Sequence, residues 1–372
     1  MSSSSSTSNG AIVAATLAGA AFMYLRRAQS GGGAPSEDYE GLSSEDVSYL
    51  RRLMALKRTI VPPAQSDFRV CAMLKMEDSR SGATVDVSGT NWETVSLSNS
   101  LCAERSACSK LREMAPMRLR CVYITTDLHE CVTPGLLCRE VLLELEDACD
   151  STPVVLGGDD GDGRLGVVRR TTLGALYPHP SVLRGVERRD LASAALALAA
   201  EAENVAAHYD VSGASSLGIL ERVQRAELHK AAVEATTRDA RDDLHPIRYG
   251  AAVLLDDGTI VSAAQFKALE YGNSVGAVVM LLGEIERRRR ASGALPVVLM
   301  QADQHGTLHA PFAQGRTCLF EMGFGACAVV LHAKAPAGTP KKPGVKSCGL
   351  RLAEVTVATL VVDVPDIAGH LD

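Results

Sequence analysis

The sequence has few aromatic residues and no excess of positive charge. Phenylalanine, tyrosine and tryptophan together make up 4% of its 372 residues, Trp92 is the single tryptophan, and the formal net charge is -6. Proteins that bind nucleic acid attract its phosphates with basic surface and stack single-stranded bases on aromatic side chains. The composition therefore argues against nucleic acid as a partner, while a single nucleoside or nucleotide stays open as a ligand.

The sequence also lacks the cysteine pattern of a small secreted protein. Its ten cysteines are irregularly spaced, and seven of them fall between Cys71 and Cys149. No secretory cleavage pattern is present near the amino terminus. In a chain of this length, such clustering indicates reduced thiols with a metal site rather than a disulfide framework.

The amino-terminal region carries an apolar segment. Residues 10–25 are largely apolar, and Arg26 and Arg27 follow directly. The segment is shorter than the roughly 20 residues of a full span, but its basic flank predicts a membrane-anchor-like helix over residues 10–27. The alanine-rich composition favours a mitochondrial membrane. The alternatives are a helix without membrane contact and a cytoplasmic protein.

An internal repeat organises the rest of the chain. The segment that starts at Phe68 and the segment that starts at Ile247 both run through an apolar strand, a turn and the start of a helix. The repeat predicts an α/β fold with two tandem three-layer domains, each a mixed β-sheet with helices packed on it. The predicted boundaries are a polar tail, helix and Gly/Ser linker over 1–42, a first domain over 43–189, a helical linker over 190–222 and a second domain over 223–372.

Three local patterns give further expectations. Ser43 has the character of an N-cap and predicts a helix through about Arg58. An alanine- and leucine-rich run predicts another helix over Asp190–Ala207. The arginine run Arg287–Arg290 suits either a phosphate or acidic partner, or a solvated helix end that complements the helix dipole.

Two short motifs carry the candidate chemistry. Cys102-Ala103-Glu104 opens a predicted helix, and Cys138 lies four residues after Pro134. Zinc lowers the pKa of a bound water, about three protein ligands hold it, and a nearby carboxylate moves the proton. Helix N-termini favour the thiolate form of cysteine. The motifs predict Cys102 and Cys138 as zinc ligands and Glu104 as the catalytic acid and base.

The first motif resembles that of the cytidine deaminases, in particular the two-domain type of some bacteria and plants. Cys102-Ala103-Glu104-Arg105 matches the family's first zinc motif in all four residues. In that type, a catalytic domain precedes a copy with a broken site. The resemblance implies a zinc hydrolase that converts cytidine or deoxycytidine to the uridine form, and a homodimer.

The resemblance also implies a substrate site. The segment Ser66–Ala72 is similar to the family's entry strand, with Phe68 lining the base pocket. Asn91 and Glu93 are similar to the pair that holds the ribose hydroxyls.

One position departs from the family pattern and makes the zinc motif degenerate. The family has Pro-Cys-x-x-Cys, whereas this chain has Gly135 in place of the first of these cysteines. Glycine has no side chain to bind a metal, so a ligand is missing. Cys131 is a candidate replacement, and His129 is a second one.

The second half departs further from the family. The positions that correspond to the ligands and the glutamate carry Gly276, Val278, Phe312 and Gly315. This half is therefore predicted to bind no zinc in the family's way, and to complete the fold and shape a dimer.

Two hypotheses of function follow. The first is a zinc-dependent cytidine deaminase whose activity is weakened or lost because of Gly135. The second is a catalytically inactive structural subunit that reuses the deaminase fold in a mitochondrial membrane assembly, attached through residues 10–27.

Overall fold

The computed structural model describes residues 39–114, 116–210, 218–334 and 349–363. These residues form two compact units. The first comprises the described residues up to Pro134 together with Thr152–Thr172 and Asp363, and the second comprises Gly135–Ser151 and the described part of Leu173–Val362. The domain boundaries predicted from the sequence stay a prediction.

Helices and strands alternate along both halves of the chain. The first half contains α1 (Ser44–Thr59), β1 (Val70–Asp78), β2 (Thr84–Thr90), α2 (Ala103–Lys110), β3 (Met117–Thr126), α3 (Leu136–Leu143), β4 (Pro153–Asp159), β5 (Leu165–Thr172) and α4 (Leu173–Leu176). The second half contains α5 (Leu191–Glu201), α6 (Val205–His208), α7 (Ile219–Ala235), β6 (Tyr249–Leu255), β7 (Ile260–Ala264), α8 (Ala277–Ser292), β8 (Pro296–Asp303), β9 (Leu308–His309), α9 (Ala313–Glu321), β10 (Ala328–Lys334), β11 (Leu350–Thr356) and α10 (Val357–Leu360).

The two sheets share one topology. The first has the order β2-β1-β3-β4-β5, and the second has β7-β6-β8-β10-β11 with β9 added beside β8. In both, the central pair is parallel (β3 with β4, and β8 with β10), and every other pair on these paths is antiparallel. The α/β class with mixed sheets, predicted from the sequence, is confirmed.

Helix α1 starts at a capping box. The Ser43 hydroxyl accepts the N–H of Asp46, whose carboxylate accepts the N–H of Ser43, both at 3.1 Å. These two bonds satisfy N–H groups that a helix start leaves without partners, and they confirm the helix predicted from Ser43. The buried face of α1 packs on the first sheet, where the rings of Tyr49 and Tyr123 stack with their centroids 4.4 Å apart.

The single helix predicted over Asp190–Ala207 is wrong in its second half. The chain forms α5 and α6 instead, and the Asn204 side chain accepts the N–H of Ala207 at 3.0 Å as a new N-cap. Between the two helices, Ala202 forms a β-bridge with Leu350. A pairing with a distant residue therefore overrides the helix propensity of the alanine-rich run.

The positive charge of the arginine run in α8 is balanced by two glutamates of the same helix. Arg288 lies 3.0 Å from Glu284, and Arg290 lies 2.7 Å from Glu286. The other two arginines of Arg287–Arg290 pair with the same two glutamates. This i,i+3 and i,i+4 pairing favours the interpretation as a solvated helix end over that as a phosphate site.

The predicted anchor-like helix over residues 10–27 lies outside the described residues. Among the residues that the structure describes, no helix combines the length and the apolar character that a membrane crossing requires. Attachment to a membrane and mitochondrial placement stay predictions.

Candidate metal centre

The first sheet brings separate segments of the chain to one edge. Cys71 of β1 pairs with Thr90 at the end of β2 and with Thr125 near the end of β3. In an antiparallel ladder, the start of one strand lies beside the end of its neighbour. The segment before β1, with Phe68, and the segment after β2, with Asn91, therefore leave the sheet at the same edge.

The three predicted substrate residues meet at this edge. The Asn91 side-chain oxygen accepts the N–H of Val70, and its amide group donates to the carbonyl of Phe68, both at 2.8 Å. The Glu93 carboxylate accepts the N–H of Ser66 at 2.8 Å and its hydroxyl at 2.6 Å. Asn91 and Glu93 thus hold the backbone around Phe68, which is half-buried. Their role toward a nucleoside stays a prediction.

Helix α2 begins directly after Cys102. The chain reaches this point through a two-residue bridge in which Trp92 and Leu101 exchange N–H···O bonds of 2.8 Å. Cys102 is the N-cap, with extended backbone angles of φ -72° and ψ 159°, and its side chain does not cap the helix. Its sulfur therefore lies at a helix N-terminus, where the positive end of the dipole favours a thiolate.

Glycine in β2 lets α2 lie directly on the strand. A Cβ atom at Gly89 would come within 2.2 Å of the Ala103 carbonyl oxygen and 2.4 Å of the Ala107 nitrogen. No side chain fits at that distance. Gly89 therefore sets the position of the helix that carries Cys102 and Glu104.

Arg105 completes the environment of the first cysteine. Its Nε donates to the sulfur of Cys102 at 3.1 Å, and a terminal nitrogen donates to the carbonyl of Ser100 at 3.0 Å. A guanidinium beside a thiolate lowers the energy of the charged form. The motif Cys102-Ala103-Glu104-Arg105 includes Arg105 without indicating its role, although its place three residues after Cys102 puts it within reach of that side chain.

Helix α3 carries the second cysteine near its N-terminus. Its N-cap is Gly135, with φ -60° and ψ 157°, close to the angles of Cys102. A Cβ atom at Gly135 would meet no heavy atom within 4 Å. Cys138 lies in the first turn and is buried. The position of the missing ligand therefore has room for a side chain that the chain does not supply.

The residues Cys102, Glu104 and Cys138 form one group of candidate metal ligands. Their ligand atoms all lie within 4.8 Å of one another, and Glu104 and Cys138 are buried. Zinc binds sulfur at about 2.3 Å and carboxylate oxygen at about 2.0–2.2 Å, so two ligands of one ion lie less than about 4.6 Å apart. This donor set of two thiols and a carboxylate fits zinc.

Both Cys102 and Cys138 are disulfide-bonded in the structure, whereas seven other described cysteines form no disulfide. The expectation of reduced thiols is therefore wrong for Cys102 and Cys138. Two thiols close enough to share an ion are also exposed to oxidation. Because the thiolate is the form that binds metal, the group can hold an ion only after reduction.

The two replacement candidates lie against the far strands of the first sheet. The Cys131 thiol donates to the carbonyls of Val167 at 3.0 Å and Leu156 at 3.6 Å, and burial raises its pKa to about 11. The carbonyl of His129 accepts the N–H of Val167 at 2.9 Å. The metal group of the described residues contains neither one.

In the second unit, the positions that correspond to the zinc ligands and the glutamate of the family motif carry glycine and apolar residues. Gly276 is the N-cap of α8, and a Cβ there would lie 3.8 Å from the ring of Phe312, the N-cap of α9. A Cβ at Gly315 would lie 3.1 Å from the Cβ of Val278. None of these four residues offers a metal ligand, and side chains from Phe312 and Val278 occupy the space.

Comparison with known proteins gives structural similarity alone. No family model matches the chain, and no curated protein matches it. Among solved structures, cytidine deaminase from Burkholderia pseudomallei is 24% identical with a TM-score of 0.30, over 38% of this chain and 100% of that one. The enzyme from Mycobacterium leprae is 20% identical with a TM-score of 0.27, over 37% and 96%. The enzyme from Mycobacterium tuberculosis is 23% identical with a TM-score of 0.24, over 28% and 81%. At these identities and TM-scores the similarity carries no functional argument.

Proposed function

We propose that Cys102, Glu104 and Cys138 form a zinc site of a cytidine deaminase-like protein whose hydrolytic activity is weakened. The observation that carries the proposal is that Cys102 is the N-cap of α2, that Glu104 is buried in the first turn of the same helix, and that Arg105 donates to the Cys102 sulfur at 3.1 Å. Both cysteines lie at the N-cap or in the first turn of a helix, where thiolates are stabilised. The proposed substrate is a single nucleoside, cytidine or deoxycytidine.

Zinc bound here would lower the pKa of a water and so supply a nucleophile at neutral pH. The protein's own residues do the rest. Arg105 donates to the sulfur of Cys102 at 3.1 Å and offsets its charge. The Glu104 carboxylate is buried in the first turn of the helix that Cys102 caps, where it would move the proton.

Nucleoside binding is proposed for the edge around Phe68. Asn91 and Glu93 hold this segment through three hydrogen bonds to its backbone and one to the hydroxyl of Ser66. Each oxygen of Glu93 and the side chain of Asn91 keep further hydrogen-bonding capacity, which a ribose hydroxyl can use. A homodimer of the deaminase type is part of the same proposal.

The zinc content of the purified full chain tests the site. We expect about one zinc per chain by elemental analysis when the protein is kept reduced, because two thiolates and a carboxylate are then available. Cys102→Ser and Cys138→Ser should each lose the metal. Cys149→Ser, which removes an exposed thiol that forms no disulfide, is the matched control and should keep the metal.

Deamination is then measured as the change in ultraviolet absorbance of cytidine and deoxycytidine. Slow turnover that disappears together with the zinc would support a weakened hydrolase. A folded, reduced protein without zinc would contradict the proposed site.

A second candidate function is a catalytically inactive structural subunit. It is favoured by Gly135, which offers no ligand, and by Phe312 and Val278, which occupy the space beside Gly276 and Gly315 in the second unit. In this role, deletion of residues 1–27 should release the protein from a mitochondrial membrane fraction. Glu104→Gln should leave the distribution unchanged, as measured by immunoblotting of membrane and supernatant.

A further inference from the structure

A group of polar side chains is buried on one face of the second sheet. Gln301 and Asp303 flank Ala302 on β8, and His309 pairs with Gln301 from β9. Ala302 belongs to the core that packs against α7, so its polar neighbours point to the opposite face. Thr307 joins the group before β9, where its N–H donates to the Asp303 carboxylate at 3.1 Å. The four polar residues are at most 2% exposed.

The Asp303 carboxylate decides which nitrogen of His309 carries the proton. It accepts from the Nε2 of His309 at 3.0 Å and from the N–H of His305 at 2.9 Å. Burial raises the pKa of Asp303, but these hydrogen bonds outweigh burial and hold the pKa below its usual value. An ionised carboxylate only accepts, so Nε2 is the donor, and Nδ1 of the neutral imidazole is an acceptor.

Three atoms of the group have no hydrogen-bond partner in the part of the chain that the structure describes. They are Oε1 of Gln301, Oγ1 of Thr307 and Nδ1 of His309. The Nε2 of Gln301 is engaged, since it donates to the carbonyl of Ala310 at 3.2 Å. Residues opposite each other on paired strands have their Cβ atoms about 4.5–5.5 Å apart, so Gln301 and His309 are close neighbours. Unpaired polar atoms are costly to bury, and three on one face indicate a shared partner.

The hydrogen-bonding needs of these atoms match one water molecule. A water can donate to His309 and to Gln301, and it can accept the hydroxyl of Thr307. Buried waters make about three such bonds. An ammonium ion, which only donates, would leave the hydroxyl proton of Thr307 without an acceptor. We propose that the second unit holds one ordered water between Gln301, Thr307 and His309.

This water ties β8 to β9 across the turn between them, and aromatic rings lie against the group. The ring centroid of Tyr249 is 5.2 Å from that of His309 and 5.0 Å from that of Phe312, both edge to face. Tyr249 is itself buried. The water therefore has little access to bulk solvent.

The first sheet carries an apolar side chain at one of these positions. Strand β3 ends at Thr126 as β8 ends at Asp303, and each of these residues pairs with the first residue of the neighbouring strand. Two residues earlier, Ile124 takes the place of Gln301. The proposed water site therefore depends on residues of the second sheet, and it does not rest on the proposed zinc site.

The sign of one substitution tests the proposal. Thr307→Val keeps the shape of the side chain and removes the hydroxyl. If the water is present, the equilibrium constant for folding should fall by about fivefold, because a hydrogen bond is lost. If it is absent, the constant should rise, because an unpaired buried hydroxyl is removed. Thr125→Val is the matched control, since the hydroxyl of this buried threonine of the first sheet also has no partner among the described residues. It should raise the constant.

Urea unfolding of the full chain, followed by circular dichroism, measures these constants. A crystal structure of the wild type, grown without ammonium or metal salts, should show one density peak within about 3.2 Å of all three atoms. Deuterium relaxation dispersion of the solvent should count one long-lived water fewer in Thr307→Val. The wild-type crystal structure tests the proposal even if the variant does not fold.

Three results would overturn the proposal. The first is a rise in the folding constant of Thr307→Val like that of Thr125→Val. The second is a wild-type structure in which Nδ1 of His309 bonds Gln301 directly, with no peak between them. The third is a peak that appears only with ammonium salt or that gives an anomalous signal, since the occupant would then be a cation.

Discussion

Arg105 shows how a single side chain favours the thiolate form of a candidate metal ligand. Its Nε lies 3.1 Å from the sulfur of Cys102, and a second bond to the Ser100 carbonyl holds the guanidinium in place. Charge-assisted hydrogen bonds of this kind are stronger than neutral ones. The residue therefore favours the charged, metal-binding form of the thiol, and its contribution can be measured.

Arg105→Gln should weaken zinc binding by about tenfold, the lower end of what the loss of an outer partner costs. The physical reason is that the thiolate of Cys102, the form that binds the ion, would lose the positive charge that stabilises it. The measurement is chelator competition in the reduced full chain at several pH values, and the loss should grow as the pH falls. Arg112→Gln, an exposed change, serves as control. Equal affinities of Arg105→Gln and the wild type would contradict the role.

Gly89 also acts at the residue scale, through steric contact rather than through charge. Gly89→Ala would bring a Cβ within 2.2 Å of the Ala103 carbonyl, so α2 or β2 has to move. We expect a loss of about 1–3 kcal/mol in the free energy of unfolding, as for other overpacked sites, and weaker zinc binding. Urea unfolding and zinc competition measure the two effects. Gly272→Ala, with an open position, should change neither one.

At the scale of elements, a buried lysine joins α1 to the ends of two strands. Lys57 is 0% exposed, and its Nζ lies 2.7 Å from Asp159 at the end of β4 and 3.0 Å from Asp127 directly after β3. It also donates to the carbonyl of Thr126. Two carboxylates thus balance one buried cation at the same edge of the sheet from which the candidate site extends.

Lys57→Met should lower the free energy of unfolding by roughly 3 kcal/mol, because the change leaves two carboxylates without their cation. The loss lies at the low end of the range for buried pairs, since Asp127 and Asp159 keep some contact with solvent. Arg51→Met, on the exposed side of α1, is the control for the loss of a positive charge. Similar urea midpoints for both variants would show that the pairing contributes little.

At the scale of the whole molecule, four buried or half-buried histidines are expected to make the stability of the second unit decrease at acidic pH. Burial lowers the pKa of His179, His229, His245 and His332 below the ordinary 6.5. Their rings bind or lie near backbone groups in the neutral form, such as His229 with the Gly306 carbonyl at 3.0 Å. An unfolded chain would take up protons at these positions before the folded protein does.

Stability should therefore be full above about pH 6.5 and fall as the pH decreases through the lowered pKa values. We expect the melting temperature to drop by a few degrees between pH 7 and pH 5, with hydrogen exchange rising first in peptides of the second unit. His229→Gln should flatten this dependence. A melting temperature that stays constant over this range would refute the expectation. The carboxylates with lowered pKa values act only at more acidic pH.

Much of this architecture was accessible from local patterns. The repeat, the start of α1 and the mixed sheets follow from apolar periodicity and capping signals. The failure at Asn204 has a tertiary cause, since the bridge of Ala202 to Leu350 joins residues far apart in sequence. At the site, the motif identified Cys102, Glu104 and Cys138 as candidate residues. The sequence pattern does not indicate that the thiol of Cys131 donates to backbone carbonyls of β4 and β5.

The sequence by itself determined the α/β class, the repeat, and the absence of a thiol at position 135, because these depend on residue type and spacing along the chain. Only the tertiary structure decided that Glu104 is buried, that Cys131 binds the carbonyls of Leu156 and Val167, and that Asn91 and Glu93 hold the segment around Phe68. Hydrogen bonds and metal ligation act over a few ångströms, so they depend on where the sheet and helices place residues that are distant in the chain.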